Sequence, residues 1–135
     1  MNLLREFAFL AAVVVLGAVY SLISGLAPAP WTAPELAPGE IRLADALSLD
    51  PVWVDARSEA DFEAAHIPGS ILLNEEDWDS GLLRLMEVWT PGRTIVVYCA
   101  SLDCGTSKRI AEALDQALGG AEIYSLHGGW EAWPR

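Results

Sequence analysis

The chain has 135 residues, the length of one domain, and its 8 Lys plus Arg against 19 Asp plus Glu leave a formal net charge of -11. That acidity excludes a nucleic-acid binder, which needs clustered cations to meet phosphates. With 53% apolar and 20% charged residues a disordered acidic tail is excluded too, and two cysteines are too few for a disulfide-built miniprotein.

The apolar excess begins at the amino terminus. Residues 7–26, FAFLAAVVVLGAVYSLISGL, carry no charge, and as a helix they would reach about 30 Å, the depth of a bilayer core. Their polar side chains, Tyr20, Ser21 and Ser24, gather near one end instead of forming the stripe of a soluble helix. Residues 1–26 therefore read as one transmembrane helix, a signal anchor. A cleaved signal peptide is the rival, because Ala27-Pro28-Ala29 mimics a small-residue cleavage site. Against it, the run exceeds the roughly 7 to 15 residues of a signal core, and Pro30 would follow the cut directly. Arg5 and the terminal amine are the positive charges before the span, and the next basic residue is Arg42. The positive-inside rule then puts the amino terminus in the cytoplasm and the rest outside it, on the periplasmic side. Residues 27–39, APAPWTAPELAPG, contain four prolines and no apolar periodicity, as expected of an extended tether. Trp31 in it suits either a headgroup anchor or packing on the domain.

Residues 40–135 are long enough to bury one core. Val52-Trp53-Val54 and Thr94-Ile95-Val96-Val97-Tyr98 are apolar, β-rich runs, with weaker ones at Ile71-Leu72-Leu73 and Glu122-Ile123-Tyr124. Between them lie helical patterns. Ser58-Glu59-Ala60-Asp61 has the form of a capping box and opens a short helix through Ala65. Leu82, Leu85, Met86 and Trp89 share one face of a second helix, ended by Thr90-Pro91-Gly92. Ile110, Leu114, Ala117 and Leu118 share a face of a third, closed by Gly119-Gly120. Strands alternating with helices predict a mainly parallel sheet covered on both faces, with a ligand site beyond the carboxyl ends of the strands.

The second strong strand runs into Cys99, followed by a loop and a helix. A thiol at such a turn faces backbone N–H groups and the positive end of a helix, which favours an anion and lowers the thiol pKa below its ordinary value of about 8.5. Position alone suits a nucleophile and a buried structural cysteine equally well.

Three blocks carry a resemblance. Residues 54–71, VDARSEADFEAAHIPGSI, look like the amino-terminal signature of rhodanese domains, residues 95–101, IVVYCAS, resemble the strand leading into their active-site loop, and residues 126–133, LHGGWEAW, are similar to their carboxyl-terminal motif. The blocks occur in the family's order and span nearly all of residues 40–135. The resemblance implies an α/β, rhodanese-like three-layer domain with a mainly parallel central sheet, here preceded by the transmembrane helix. It implies a thiosulfate or persulfide sulfurtransferase in which Cys99 takes a sulfane sulfur, becomes a persulfide and passes it to an acceptor thiol, a covalent transfer of the ping-pong kind. The backbone around Ala100, Ser101, Leu102, Asp103, Cys104 and Gly105 would cradle the anionic persulfide. No metal or organic cofactor is needed. Asp55, Arg57 and His66 match family positions, but a carboxylate and a guanidinium two residues apart more often brace loops than do chemistry, and His66-Ile67-Pro68-Gly69 reads as a turn. Gly128-Gly129 suits a close backbone approach.

The chain also departs from the family pattern. Many active rhodaneses carry a cation in the loop, whereas here Asp103 lies within it and Lys108 and Arg109 come only in the helix, which argues against thiosulfate as the preferred donor. His127 could supply a positive partner or be a solvated turn residue. Phosphatase relatives need Cys-x5-Arg, and Gly105 stands where that arginine would be. Cys104 opens a second reading, a thiol-redox partner of a membrane or periplasmic protein that cycles a Cys99–Cys104 disulfide. A third is a catalytically idle binding module. A metal site drawn from Cys99, Cys104, His66 and His127 lacks the paired-ligand spacing of zinc modules.

Overall fold

The computed structural model describes residues 3–24, 35–101 and 105–134. Two units divide the chain between Glu35 and Leu36. The first contains α1, Leu3–Ile23, whose apolar side chains such as Phe7, Phe9, Leu10, Val14 and Leu16 are exposed. Among the described residues no helix is long and apolar enough to cross a membrane. The span expected over residues 7–26 is thus not found there: α1 runs Leu3–Ile23, and residues 25 and 26 of the expected span lie outside the described residues. Most of the expected tether, with Trp31, lies outside the described residues.

In the second unit the elements run β1 (Glu40–Ile41), α2 (Leu43–Ser48), β2 (Val52–Asp55), α3 (Glu59–Ala64), β3 (Ile71–Leu72), α4 (Trp78–Val88), β4 (Ile95–Tyr98), α5 (Thr106–Leu118) and β5 (Ile123–Leu126), followed by a 3-10 turn at Gly129–Ala132. The four expected strands and three expected helices are present, with β1 and α2 in addition. The strands form one sheet in the order β1-β5-β4-β2-β3, and every pairing is parallel.

Strand alternation splits the core into two layers. Val52, Val54, Ile95 and Val97 face Leu85 of α4 and Ile110 and Leu114 of α5. Trp53, Val96 and Tyr98 face the other way, toward Ala46 of α2, Ile67 and Leu126, with Trp130 and Trp133 packed at the margin. Two side chains expected on buried faces, Met86 and Ala117, are exposed. In α4 the buried stripe passes through Gly81 and Leu85, and a Cβ on Gly81 would lie 2.9 Å from the Leu73 Cα, so α4 lies close against β3 along that line and Met86 falls beside it. In α5 the buried residues are Ser107, Ile110 and Leu114, and Ala117, though on the same side, lies in the last turn and is exposed.

Local chemistry sets the element ends. Ser58 caps α3 by accepting from the Asp61 N–H at 3.2 Å, and its hydroxyl donates to the Asp61 carboxylate at 2.7 Å. Gly119 closes α5 in the left-handed region, φ 54°.

Candidate active site

The strand order reverses between β2 and β4. From β2 the chain steps outward to β3 on one side, and from β4 it steps to β5 on the other, so the two following loops diverge and leave a crevice at the carboxyl ends. Asp55 pairs with Tyr98 in register, and the Ala56 N–H donates to the Tyr98 carbonyl at 2.8 Å. Cys99 therefore emerges beside Ala56 and Arg57, which brings the first two motif blocks together.

The third block closes on Cys99 from β5. The Trp130 N–H donates to the Cys99 carbonyl at 2.7 Å, and a Cβ on Gly129 would lie 2.4 Å from that same oxygen. Gly129 also has φ 55°, so both space and conformation call for glycine. The expected close approach is found, and the backbone it meets is that of Cys99.

Asp55 and Arg57 brace the loops, the role that their spacing suggested. Asp55 is fully buried, and Arg57 holds it through Nε at 3.0 Å and Nη2 at 2.6 Å while donating to the Ala65 carbonyl at 2.7 Å. The guanidinium lies over Trp130, 4.6 Å from the ring centroid, and near Tyr98 at 5.6 Å. Burial works against the charge on Arg57, and the Asp55 carboxylate more than offsets it, so the guanidinium is held above its ordinary value. Removing one partner of such a buried pair costs about 3–5 kcal/mol, because the other charge is left uncompensated. Tyr98 ties down the turn before β3: its hydroxyl accepts from the Ile67 N–H at 3.1 Å and lies 3.0 Å from the Ser70 hydroxyl, while burial pushes the phenol up to about 12. His66 is exposed, bonded through Nδ1 to the Phe62 carbonyl and stacked on the Phe62 ring.

Cys99 is 3% exposed. Its sulfur lies 3.7 Å from the Ser101 carbonyl and 3.4 Å from the Ser107 hydroxyl, either of which can accept its one proton, and Ser107 is 2.7 Å from the Ser125 hydroxyl. Of the expected cradle, Ala100 is exposed, Ser101 is half-buried and Gly105 takes the N-cap position of α5. Leu102, Asp103 and Cys104 lie outside the described residues. Ser107 and Ser125 were not singled out from the sequence. The available signal was a small polar residue on each of two apolar faces, Ser107 in line with Ile110 and Leu114, and Ser125 two residues beyond Ile123.

His127 is held by a carboxylate and is not open to an anionic donor as a positive partner. Its Nδ1 lies 3.1 Å from Glu40, which also holds Lys108 at 2.8 Å. The reason is β1, absent from the sequence reading: it pairs with β5 and supplies the carboxylate that captures the ring. Arg109 is held by Glu75 at 2.7 Å, so both cations that follow the loop are engaged by carboxylates.

Lys108 and His127, with the Ala37 N–H, hold the Glu40 carboxyl at about 2, down from its ordinary 4.5. A folded value below the unfolded one stabilises fully above 4.5, and that contribution is lost as pH falls toward 2. The melting temperature of the parent should therefore exceed that of Glu40→Gln at neutral pH, with the gap closing on acidification below 4.5. A gap independent of pH would contradict this.

The rhodanese-like domain family matches residues 42–135. The chain belongs to that family. Among solved structures, the rhodanese-like chain is similar to the BH2092 protein of Bacillus halodurans, at 25% identity and TM-score 0.57, covering 70% of this chain and 69% of that one. It is similar to a thiosulfate sulfurtransferase of Pseudomonas aeruginosa at 29% identity and TM-score 0.52, covering 76% of this chain but 20% of that enzyme. A rhodanese-related protein of Thermoplasma volcanium, 23% identical with TM-score 0.52 over 70% of this chain and 88% of that one, shares the fold. No curated protein matches the rhodanese-like chain.

Proposed function

We propose that this rhodanese-like domain is a sulfurtransferase that moves sulfane sulfur through a Cys99 persulfide. The observation that carries the reading is the placement of Cys99 at the strand-order reversal, its carbonyl gripped by Trp130 and its sulfur held by a buried hydroxyl. In the first half-reaction the Cys99 thiolate attacks the sulfane sulfur of a donor, the donor's sulfur bond breaks and its electron pair leaves with the remnant. In the second, an acceptor thiolate attacks the outer sulfur and Cys99 leaves as thiolate.

The acidic domain, with Lys108 and Arg109 bound to carboxylates, favours a donor other than a small dianion. An organic persulfide or polysulfide, which is not a small dianion, suits it better than thiosulfate. Initial rates measured against donor and acceptor together should give the parallel double-reciprocal lines of a ping-pong mechanism. Intersecting lines would overturn the persulfide intermediate.

The proposal includes placement at a membrane on the extracytoplasmic side, supported by the uncharged run at residues 7–26, by Arg5 before it, and by apolar side chains exposed along α1. A full chain that leaves the membrane fraction on washing with alkaline carbonate would contradict it.

A further inference from the structure

Deprotonating Cys99 poses a problem that the three family motifs do not address. The thiol is buried, yet it must lose its proton before it can attack. Its hydrogen-bond partner Ser107 is itself 3% exposed, and Ser125, the next in line at 2.7 Å, is 4% exposed. A pair of buried hydroxyls has no packing advantage over a pair of alanines, since each is there only to satisfy the other. The pair does lead somewhere: Ser125 also lines a cavity of about 240 Å3 together with Gly39, Lys108 and Asp115. One end of the hydroxyl chain touches the sulfur, and the residue at the other end borders this cavity.

We infer that Ser107 and Ser125 form a proton wire from Cys99 to the cavity beside Lys108. The inference rests on the reading of Cys99 as the nucleophile. The Cys99 S–H bond breaks as its proton passes to the Ser107 oxygen, the Ser107 proton passes to Ser125, and the Ser125 proton passes to solvent in the cavity. Each hydroxyl ends with one proton, as it began, and the electron pair of the broken S–H bond stays on sulfur. After the shift Ser107 donates toward the sulfur, so the same chain leaves the thiolate with a hydrogen-bond donor. Ser107 and Ser125 are thus positioning residues that act through Cys99. Of the titratable and charged groups on the elements around the wire, Lys108, Glu112 and Asp115 of α5 line the cavity, Lys108 and His127 after β5 are held by Glu40 of β1, Arg109 of α5 is held by Glu75, Asp55 and Arg57 at the end of β2 are bound to each other, and Tyr98 of β4 and Tyr124 of β5 belong to the other face of the sheet.

The test is the rate of alkylation of Cys99 by iodoacetamide as a function of pH, read at that residue by tandem mass spectrometry in the reduced full chain. Losing one hydrogen bond to the thiolate should raise the alkylation midpoint of Ser107→Ala by about one to two pH units. Ser125→Ala should raise it too, by less, and Ser107→Thr, which keeps the hydroxyl, should restore it. A midpoint unchanged in Ser107→Ala overturns the inference. A shift in Ser107→Ala with none in Ser125→Ala also overturns it, since a lone donor is then enough. Should Ser107→Ala fail to fold, Ser125→Ala and Ser107→Thr still decide. Sulfur loading separates the two readings: a parent that shows the midpoint shifts but gains no sulfur on Cys99 refutes the sulfurtransferase and leaves the wire standing.

Discussion

Replacing Cys99 by serine should reduce sulfur transfer to the uncatalysed background, a loss on the order of a thousandfold or more. A hydroxyl cannot hold a persulfide, and no second group in the described part of the site is placed to take its role. The change is close to isosteric, and a serine hydroxyl can still donate to Ser107, so the fold should survive with stability within about 1 kcal/mol of the parent. Activity and stability measured on the same sample would therefore separate. If Cys99→Ser transferred sulfur at a rate near that of the parent, Cys99 would not be the nucleophile, and Cys104 would become the thiol to examine.

The second large effect is expected at Gly129. An alanine there brings a Cβ to 2.4 Å from the Cys99 carbonyl oxygen and 3.1 Å from the Ser101 nitrogen, both backbone atoms with little room to yield. The left-handed backbone adds about 1 kcal/mol and the overpacking about 1–3 kcal/mol more, so Gly129→Ala should lose roughly 2–4 kcal/mol of unfolding free energy. The loss also reaches the chemistry. To relieve the clash the Cys99 carbonyl must move away from the Trp130 N–H, and the sulfur then leaves the line of Ser107. Chemical unfolding would measure the first effect and Cys99 alkylation the second. A Gly129→Ala variant that unfolds at the parent's midpoint would show that the backbone contact does not constrain the site.

Sequence and structure agree where the signal is local. The Ser58 capping box, the continuous apolar runs of β2 and β4, and the glycines closing α5 each rest on physics within a few residues. Cys99 could be placed at a strand end for the same reason, and the three motif blocks had only to be brought together by the sheet order. What escaped depends on contacts distant along the chain. β1 has two residues and α2 has six, too short for any periodicity, and they hold because β5 offers an edge to pair with and the sheet a face to cover. Without β1 there was no Glu40 to claim His127, so the histidine looked available to an anionic donor. Ser107 and Ser125 are linked only because β5 lies beside β4 and α5 packs over both. Neither has a charge or an unusual spacing to announce it.

The proposed sulfurtransferase requires Cys99 to carry sulfur as a covalent intermediate. Intact mass of the reduced domain, taken before and after treatment with polysulfide and then with an acceptor thiol, tests it directly, with Cys99→Ser and Cys104→Ser alongside. The expected result is a gain of one sulfur atom that localises to Cys99, persists in Cys104→Ser, is absent in Cys99→Ser and is discharged by the thiol. A loss of two hydrogens that requires both cysteines, or no change of mass at all, would contradict it.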